Sequence, residues 1–362
     1  MSDTIKRKFT GRHKYIDKLS PVDERDYGMD ELVSGKRTCA ALSKREAKRL
    51  TASKLPKTYR GFKVPASKIF DQGSSGMCCA CTIAMNRYIK ENIQTKNSYL
   101  FSPAYIYAHR PEDTVLSPDE EGMIMREAFG ELQKSGISTW QNYKYYGSYK
   151  NCLSKYNKYK DALDKVAKHY TIDSYYACNT IDEIKQAIYS LGCCSIAIAC
   201  HENYGPDWTA EEVLVNGKWV PMKWPEVSFD AKNYPNDPIV GYHAMLAIGW
   251  TTKGLILINS WGEDWGKNGM AVLPYEYPIE EAWADVDNKV SKASLASRKK
   301  IIVPRKAKKK ATAAHSADGT KNVEMVDVPD DTNTEYSLIA EIIEILFTLV
   351  MKLFKKKFKI ED

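Results

Sequence analysis

The sequence predicts a mixed α+β fold in which helices dominate the first half of the core and strands dominate the second half. Two observations support this prediction. Apolar residues recur at helical spacing in several stretches before residue 192, whereas short apolar runs separated by turn residues follow from residue 194 onward. The chain has 362 residues, 43% hydrophobic and 27% charged, which is typical of a globular protein large enough for two lobes or two domains.

The most informative predicted helix begins at a cluster of cysteines. Behind Gly73 and Gly76, which mark a turn, apolar residues recur at helical spacing at Ala80, Ile83, Ala84, Tyr88 and Ile89. Cys78 is therefore expected at the start of a helix. Further helices are predicted over residues 124–134 and 181–191, and one more over residues 40–50.

The second half contains the predicted strands. A buried strand is expected over residues 194–199, and residues 213–219 contain Asn216-Gly217, the turn sequence typical of a β-hairpin. Residues 243–250 and 255–258 are short apolar runs separated by a turn, so they are predicted to pair as adjacent strands.

The ends of the chain differ in charge from its centre. Residues 1–60 carry 16 basic and 8 acidic side chains, residues 61–287 carry 21 and 28, and residues 288–312 carry 10 basic and no acidic ones. We therefore divide the chain into a basic N-terminal extension (1–55), a core domain (56–287), a charged linker (288–335) and a C-terminal amphipathic helix (336–362). The basic flanks are interpreted as solvated segments, and nucleic acid is not expected as a partner.

The C-terminal helix needs a cover for its apolar surface. Within residues 337–359 the polar side chains form one narrow stripe, composed of Ser337, Glu341, Glu344, Thr348, Lys352 and Lys355. The acidic pair and the short length argue against a full membrane span. Two interpretations stay open: the helix packs on the core or in an oligomer, or it lies on an anionic membrane surface.

Cysteine chemistry is the most specific functional signal. Attack on an amide needs a thiolate, a base, a group that orients the base, and donors for the developing oxyanion. A helix N-terminus lowers the pKa of a thiol, so Cys78 is placed to form a thiolate. Gln72 precedes it on the same turn, where its amide could donate to the oxyanion.

Three segments carry a family resemblance. Asp71 to Ala84 (DQGSSGMCCACTIA) resembles the nucleophile segment of papain-like cysteine peptidases, Gly241 to Trp250 (GYHAMLAIGW) resembles their histidine strand, and Asn259 to Gly269 (NSWGEDWGKNG) resembles their asparagine loop. Asp23 to Tyr27 (DERDY) is similar to the start of the prokaryotic and viral branch of this family. The resemblance implies a helical lobe that carries the cysteine, a β-rich lobe that carries the histidine and asparagine, and a site in the cleft between them.

The resemblance also implies roles for individual residues. Cys78 would be the nucleophile, His243 its base, Asn259 the group that orients the histidine, and Gln72 an oxyanion donor. Trp261 would cover the Asn259–His243 hydrogen bond and line the substrate site. Two residues of the stretch that pairs with substrate in this family correspond to Gly122 and Met123.

The expected function is that of a cysteine endopeptidase acting on peptide or protein substrates through an acyl-enzyme thioester. Residues 1–55 would then be a candidate pro-segment. The alternative is a papain-like scaffold that binds peptides or protein partners without turnover.

The sequence departs from the family pattern at two places near Cys78. Ser75 replaces the usual disulfide cysteine and Cys79 replaces the usual aromatic residue. The number of residues between Cys78 and His243 exceeds the typical spacing of about 130–150 residues, so an insertion is expected within residues 201–237.

The nine cysteines are interpreted mainly as free thiols in a reducing compartment, since their number is odd and no secretion signal is seen. The protein is accordingly expected in a cytoplasm or a virus particle. Cys78 and Cys81 form a C-x-x-C motif with no second pair, so neither a metal site nor a cofactor is expected.

Overall fold

The structure is a computed structural model that describes residues 18–111 and 121–288, together with the backbone of residues 4–8. Its helices are α1 (Met29–Val33), α2 (Lys44–Leu50), α3 (Cys78–Thr95), α4 (Pro103–Ala108), α5 (Met125–Lys134), α6 (Tyr149–Ala167) and α7 (Ile181–Leu191). Its strands are β1 (Thr4–Lys8), β2 (Tyr59–Arg60), β3 (Ile172–Ala177), β4 (Cys194–His201), β5 (Gly205–Val215), β6 (Lys218–Ser228), β7 (Ile239–Trp250), β8 (Gly254–Ile258), β9 (Met270–Pro274) and β10 (Glu281–Asp287). The predicted C-terminal helix (336–362) and the predicted linker after Asn288 lie outside the described residues.

The three helices predicted between residues 78 and 191 are confirmed. Helices α5 and α7 begin and end within one residue of their predicted bounds, and α3 begins at Cys78 as predicted. The helix predicted over residues 40–50 begins only at Lys44, because Ser43 and Glu46 form a capping box that starts the helix there.

Three helices were missed, and one of them, α1, has only five residues. Helix α6 is rich in lysine and tyrosine and buries only one face, on which Tyr149, Cys152 and Leu163 lie. Its large polar fraction conceals this apolar stripe in the sequence. Helix α4 has only six residues, which is too short for a periodic pattern to be recognised.

The strands form one ten-stranded sheet in the order β1-β5-β6-β9-β8-β7-β4-β10-β3, with β2 added to β7. All of these pairs are antiparallel except β6–β9, which is parallel and meets at Glu226 and Val272. The predicted turn between β5 and β6 is confirmed, since Asn216 and Gly217 both have positive φ, 51° and 75°. This long hairpin lies in the segment where the insertion was expected.

The strand that carries His243 separates two apolar cores. Along β7, Ala244 and Leu246 contribute to a cluster shared with α3, α4 and α5, whereas Met245 and Ala247 contribute to a cluster shared with α7. Consecutive side chains of a strand point to opposite faces, and both faces of β7 are buried from His243 to Trp250. Helices α3, α4 and α5 thus pack on one side of β7, and α7 packs on the other.

The N-terminal extension packs against the core where it is described. Met29, Leu32 and Leu50 are almost fully buried in the cluster that contains α7. Arg126, at the start of α5, contacts Asp23 at 3.0 Å and Asp26 at 3.2 Å. Residues of the extension therefore belong to the packed structure around the sheet.

Charged side chains lie buried between α3 and β10. Arg87 contacts Asp287 with an Nη1–Oδ1 distance of 2.7 Å, and Lys90 contacts Asp285 with an Nζ–Oδ1 distance of 3.0 Å. Each of the four is at most 4% exposed. These pairs tie the helix that begins at Cys78 to a strand of the sheet.

Candidate active site

Two loops meet to form the candidate site. Asp71 forms an antiparallel bridge with Trp261, and the backbone N–H of Gln72 donates to the carbonyl of Ser260 at 2.8 Å. The N–H of Gly262 donates in turn to the carbonyl of Phe70 at 2.9 Å. These bonds hold the segment before Cys78 against the segment after Asn259, although the two are far apart in sequence.

Cys78 is the first residue of α3, as predicted. No side chain caps this helix at Met77, so the first N–H groups of α3 are not satisfied by a capping side chain. Such groups and the helix dipole favour the thiolate over the thiol at this position. The turn approaches its neighbour closely, because a Cβ at Gly76 would lie 2.7 Å from the backbone nitrogen of Gly122.

His243 and Asn259 form the central hydrogen bond of the site. Nε2 of His243 lies 2.7 Å from Oδ1 of Asn259, and the backbone N–H of Ser260 donates to the same oxygen at 2.7 Å. An amide oxygen only accepts, so Nε2 carries the hydrogen of this bond. In the neutral imidazole Nδ1 is then the basic nitrogen.

Trp261 covers this bond, as expected from its motif. Its ring centroid lies 4.8 Å from that of His243, at an interplanar angle of 37°. Trp261 also contacts Trp265 edge-on at 6.1 Å. The indole ring of Trp261 thus shields the histidine–asparagine pair from water, which strengthens the hydrogen bond.

The side chain of Gln72 is held at both of its ends. Its Nε2 donates to the carbonyl of Ser75 at 2.8 Å, and its Oε1 accepts from the hydroxyl of Ser260. The amide nitrogen carries two hydrogens, and the bond to Ser75 uses one of them. The predicted oxyanion role of Gln72 depends on where the second hydrogen points when substrate is bound.

Two further thiols, Cys79 and Cys81, follow Cys78 in the first turn of α3. Burial raises the pKa of Cys79 and the pKa of Cys81 well above the usual value for a thiol. Both should therefore be poor nucleophiles. All nine cysteines lie in the described part of the chain and are free thiols, and no group of His, Cys, Asp or Glu there is arranged to hold a metal ion.

The candidate site is more enclosed than the sequence indicated. The resemblance implies a site in a cleft, yet Cys78 and His243 have no exposed surface, and Gln72, Asn259 and Trp261 are at most 2% exposed. A peptide can reach the sulfur only after neighbouring groups move.

The predicted substrate-binding stretch lies beside the nucleophile turn but is engaged within the protein. The N–H of Gly122 donates to the hydroxyl of Tyr107 at 2.8 Å, and its carbonyl accepts from Arg110 at 3.0 Å. Met123 is fully buried in the core cluster that contains α3. Substrate binding by Gly122 and Met123 stays a prediction.

Sequence reasoning missed three side chains that organise the site. Ser260 fixes Gln72 and Asn259, and its place within the Asn-Ser-Trp-Gly motif was a usable signal. Tyr107 and Arg110 hold Gly122, yet no motif marks either of them.

No protein-family model matches the chain. An uncharacterised peptidase C1-like protein of Acanthamoeba polyphaga mimivirus is 26% identical over 220 residues, which cover 58% of this chain and 65% of that protein. The viral cathepsin of Heliothis zea nuclear polyhedrosis virus is 26% identical over 211 residues, 56% of this chain and 47% of that protein. The match thus spans less than two thirds of the length of either relative.

A solved structure gives independent evidence for the fold. Xylellain, a cysteine protease from Xylella fastidiosa, superposes with a TM-score of 0.54 at 20% sequence identity, covering 79% of this chain and 99% of that one. The arrangement of a helical half with the cysteine and a β-rich half with the histidine and asparagine agrees with this similarity. The chain is thus similar in sequence to a peptidase C1-like protein and to a viral cathepsin, and it has the papain-like two-lobed fold.

Proposed function

We propose that the protein is a cysteine endopeptidase that hydrolyses peptide or protein substrates through a Cys78–His243–Asn259 triad. The observation that supports this most directly is the His243–Asn259 hydrogen bond, which Ser260 reinforces and Trp261 covers. An arrangement that orients a histidine so firmly is of use when that histidine exchanges a proton.

In the first half of the proposed reaction, Nδ1 of His243 takes the proton of the Cys78 thiol. The thiolate attacks the carbonyl carbon of the scissile peptide, and the carbonyl oxygen becomes an oxyanion. The backbone N–H of Cys78 and the side-chain amide of Gln72 would donate to that oxygen. The imidazolium then gives its proton to the leaving amine, and the C–N bond breaks to leave a thioester.

In the second half, water attacks the thioester carbonyl while His243 accepts a proton from it. The C–S bond breaks, a carboxylic acid leaves, and Cys78 is regenerated. Asn259 keeps the ring orientation through both halves without adding a charge, because its amide oxygen accepts from Nε2 throughout.

One observation favours the alternative of a scaffold that binds peptides without turnover. The catalytic side chains are buried, and both backbone polar groups of Gly122 are bonded within the protein. If that arrangement persists in solution, the site would not process substrate. The two functions differ in whether a bound peptide is hydrolysed.

The test combines a peptide library with a thiol-reactive peptide epoxide, and both products are analysed by mass spectrometry. The wild-type chain is expected to cleave peptides and to carry the label on Cys78, whereas Cys78→Ala should do neither. Cys39→Ala is the matched control, because Cys39 is the only one of the nine cysteines that is not buried. It should keep both activities.

The melting temperature of each variant is measured alongside, because Cys78 is buried and its truncation leaves a small cavity. Turnover by a folded Cys78→Ala protein would refute the mechanism. Labelling of wild-type Cys78 without cleavage of any peptide would favour the scaffold.

Gln72→Ala is expected to slow the chemical step by about a hundredfold, the usual effect of losing one oxyanion donor. A rate equal to that of the wild type would mean that Gln72 serves only to join the two loops.

We further propose that the enzyme works in a reducing compartment, in a cytoplasm or a virus particle. The nine free thiols support this proposal. The predicted contact of residues 337–359 with an anionic membrane or an oligomer partner stays a prediction, since those residues lie outside the described part.

A further inference from the structure

The far end of the β5–β6 hairpin is the most unusual surface of the described residues. We call residues 213–222, which surround the turn at Asn216-Gly217, the hairpin tip. In the described structure β1 pairs with β5 only as far as Val213, and β6 pairs with β9 only at Glu226. The tip therefore extends beyond the strands that flank the hairpin.

The hairpin tip is apolar on both of its faces. Val213 lies opposite Val220, and Leu214 lies opposite Trp219. Consecutive pairs of a hairpin point to opposite faces, so each face presents one of these pairs. Val215, Trp219 and Val220 are 47%, 42% and 43% exposed, which places them among the most exposed large apolar side chains of the described residues.

The charge of this region is uniformly positive. Residues 213–223 contain no aspartate or glutamate, and their two charged residues, Lys218 and Lys223, are both exposed. The nearest acidic residues, Glu211 and Glu212, lie at the base of the tip. An anionic surface is thus complementary in charge to the end of the hairpin.

We propose that the hairpin tip inserts into the surface of an anionic lipid bilayer. A protein partner would bury one face of the tip and leave the other in water, whereas a lipid surface surrounds both faces. Tryptophan is favoured at the boundary between headgroups and acyl chains, and lysines gain from anionic headgroups. Pro221 lies on β6 and offers no N–H, which disfavours addition of a partner strand.

The first test measures binding of the full-length chain to vesicles by flotation. We expect binding to vesicles that contain phosphatidylserine and weaker binding to pure phosphatidylcholine. The double variant Trp219→Ser, Val220→Ser should lower the partition coefficient by at least about tenfold, since both side chains lose their burial in lipid. Lys218→Ala should lower it by about fivefold.

Tyr159→Ser is the matched control, because Tyr159 is 53% exposed on α6, away from the hairpin. Its partition coefficient should equal that of the wild type. A double hairpin variant that binds as well as this control would overturn the proposal.

The second test locates the contact, because residues 337–359 could also bind lipid. Vesicles with brominated acyl chains quench the fluorescence of tryptophans that reach them. Trp219→Phe keeps an apolar side chain, so it should still bind but lose the quenched part of the emission. Equal quenching in wild type and variant would mean that another segment contacts the membrane.

A competing occupant is a second copy of the chain. Sedimentation without lipid separates the two cases: we expect a monomer whose mass is unchanged by the double hairpin substitution. A dimer that this substitution dissociates would overturn the membrane proposal and assign the tip to self-association.

Discussion

Replacing Lys90 by methionine should destabilise the protein strongly, because it leaves a buried carboxylate without its cation. Lys90 donates to the backbone carbonyl of Asp285, and its Nζ lies 3.0 Å from Oδ1 of that residue. Lys90 is 4% exposed and Asp285 is fully buried. Methionine fills a similar volume, so the loss of charge is the main perturbation.

The magnitude follows from the surroundings of Asp285. Removing one partner of a buried ion pair costs about 3–5 kcal/mol in the free energy of unfolding. Asn86 still donates to Oδ1 of Asp285 at 2.8 Å in the variant, so we expect the lower end, about 3 kcal/mol. Adding Asp285→Asn should recover part of this loss, because no buried charge is then left without a partner.

The assay is urea unfolding followed by tryptophan fluorescence at pH 7. Lys134→Met is the control: Lys134 contacts Glu131 at 3.5 Å but is 77% exposed, and such surface pairs contribute about 0–1 kcal/mol. If Lys90→Met costs no more than Lys134→Met, the buried pair does not stabilise the fold and the reasoning is refuted.

The pH dependence provides a second check. Burial lowers the pKa of Lys90, but the charge and hydrogen bond of Asp285, together with the nearby Cys193 and Asp287, outweigh burial, and the net shift is upward. A cation with a raised pKa in the folded state contributes its full stabilisation below the ordinary lysine pKa of about 10.4, and loses it as the pH rises through the folded pKa. The difference between wild type and Lys90→Met should therefore be constant from pH 7 to 9.

Three further predictions concern the site and its surroundings. Burial raises the pKa of Glu281, so the stability of the fold decreases as the pH rises above the ordinary pKa of a glutamate. Glu281→Gln should therefore raise the melting temperature at pH 7 but not at pH 4. An equal change at both pH values would contradict this. Asn259→Ala leaves the buried Nε2–H of His243 without its acceptor, which should lower the free energy of unfolding in urea by about 1–3 kcal/mol. The same variant should be labelled more slowly by the epoxide. Unchanged labelling would refute the orienting role of Asn259. Gly76→Ala places a methyl group 2.7 Å from the nitrogen of Gly122 and should lower the free energy of unfolding by about 1–3 kcal/mol. Gly130→Ala is the control, because its methyl group meets no atom closer than 3.7 Å. Similar stability of the two variants would show that the turn can shift.

The spacing of apolar residues was sufficient to predict those elements that have a clear apolar pattern. Helix α3 and the β5–β6 turn were predicted from spacing and from Asn216-Gly217, because local backbone preferences and burial agree there. The prediction failed for α6, whose single apolar stripe lies among many lysines, and for β10, whose register depends on β4 and β3.

Net charge was a poor guide to how the N-terminal extension docks. The basic flanks were interpreted as solvated segments, yet among the described residues Asp23 and Asp26 of the extension contact Arg126 of the core. Attraction at short range depends on the few charges that face each other, not on the sum over a segment.

The sequence by itself indicated the candidate site residues, because Cys78, His243 and Asn259 lie in short motifs that can be recognised without the fold. Only the tertiary structure decided how enclosed the site is and which groups hold it. Three features depend on segments that are distant in sequence: the hydrogen bond from the hydroxyl of Ser260 to Gln72, the hydrogen bond from the N–H of Gly122 to the hydroxyl of Tyr107, and the burial of Cys78. Such contacts depend on packing between elements, and no pattern within one element specifies them.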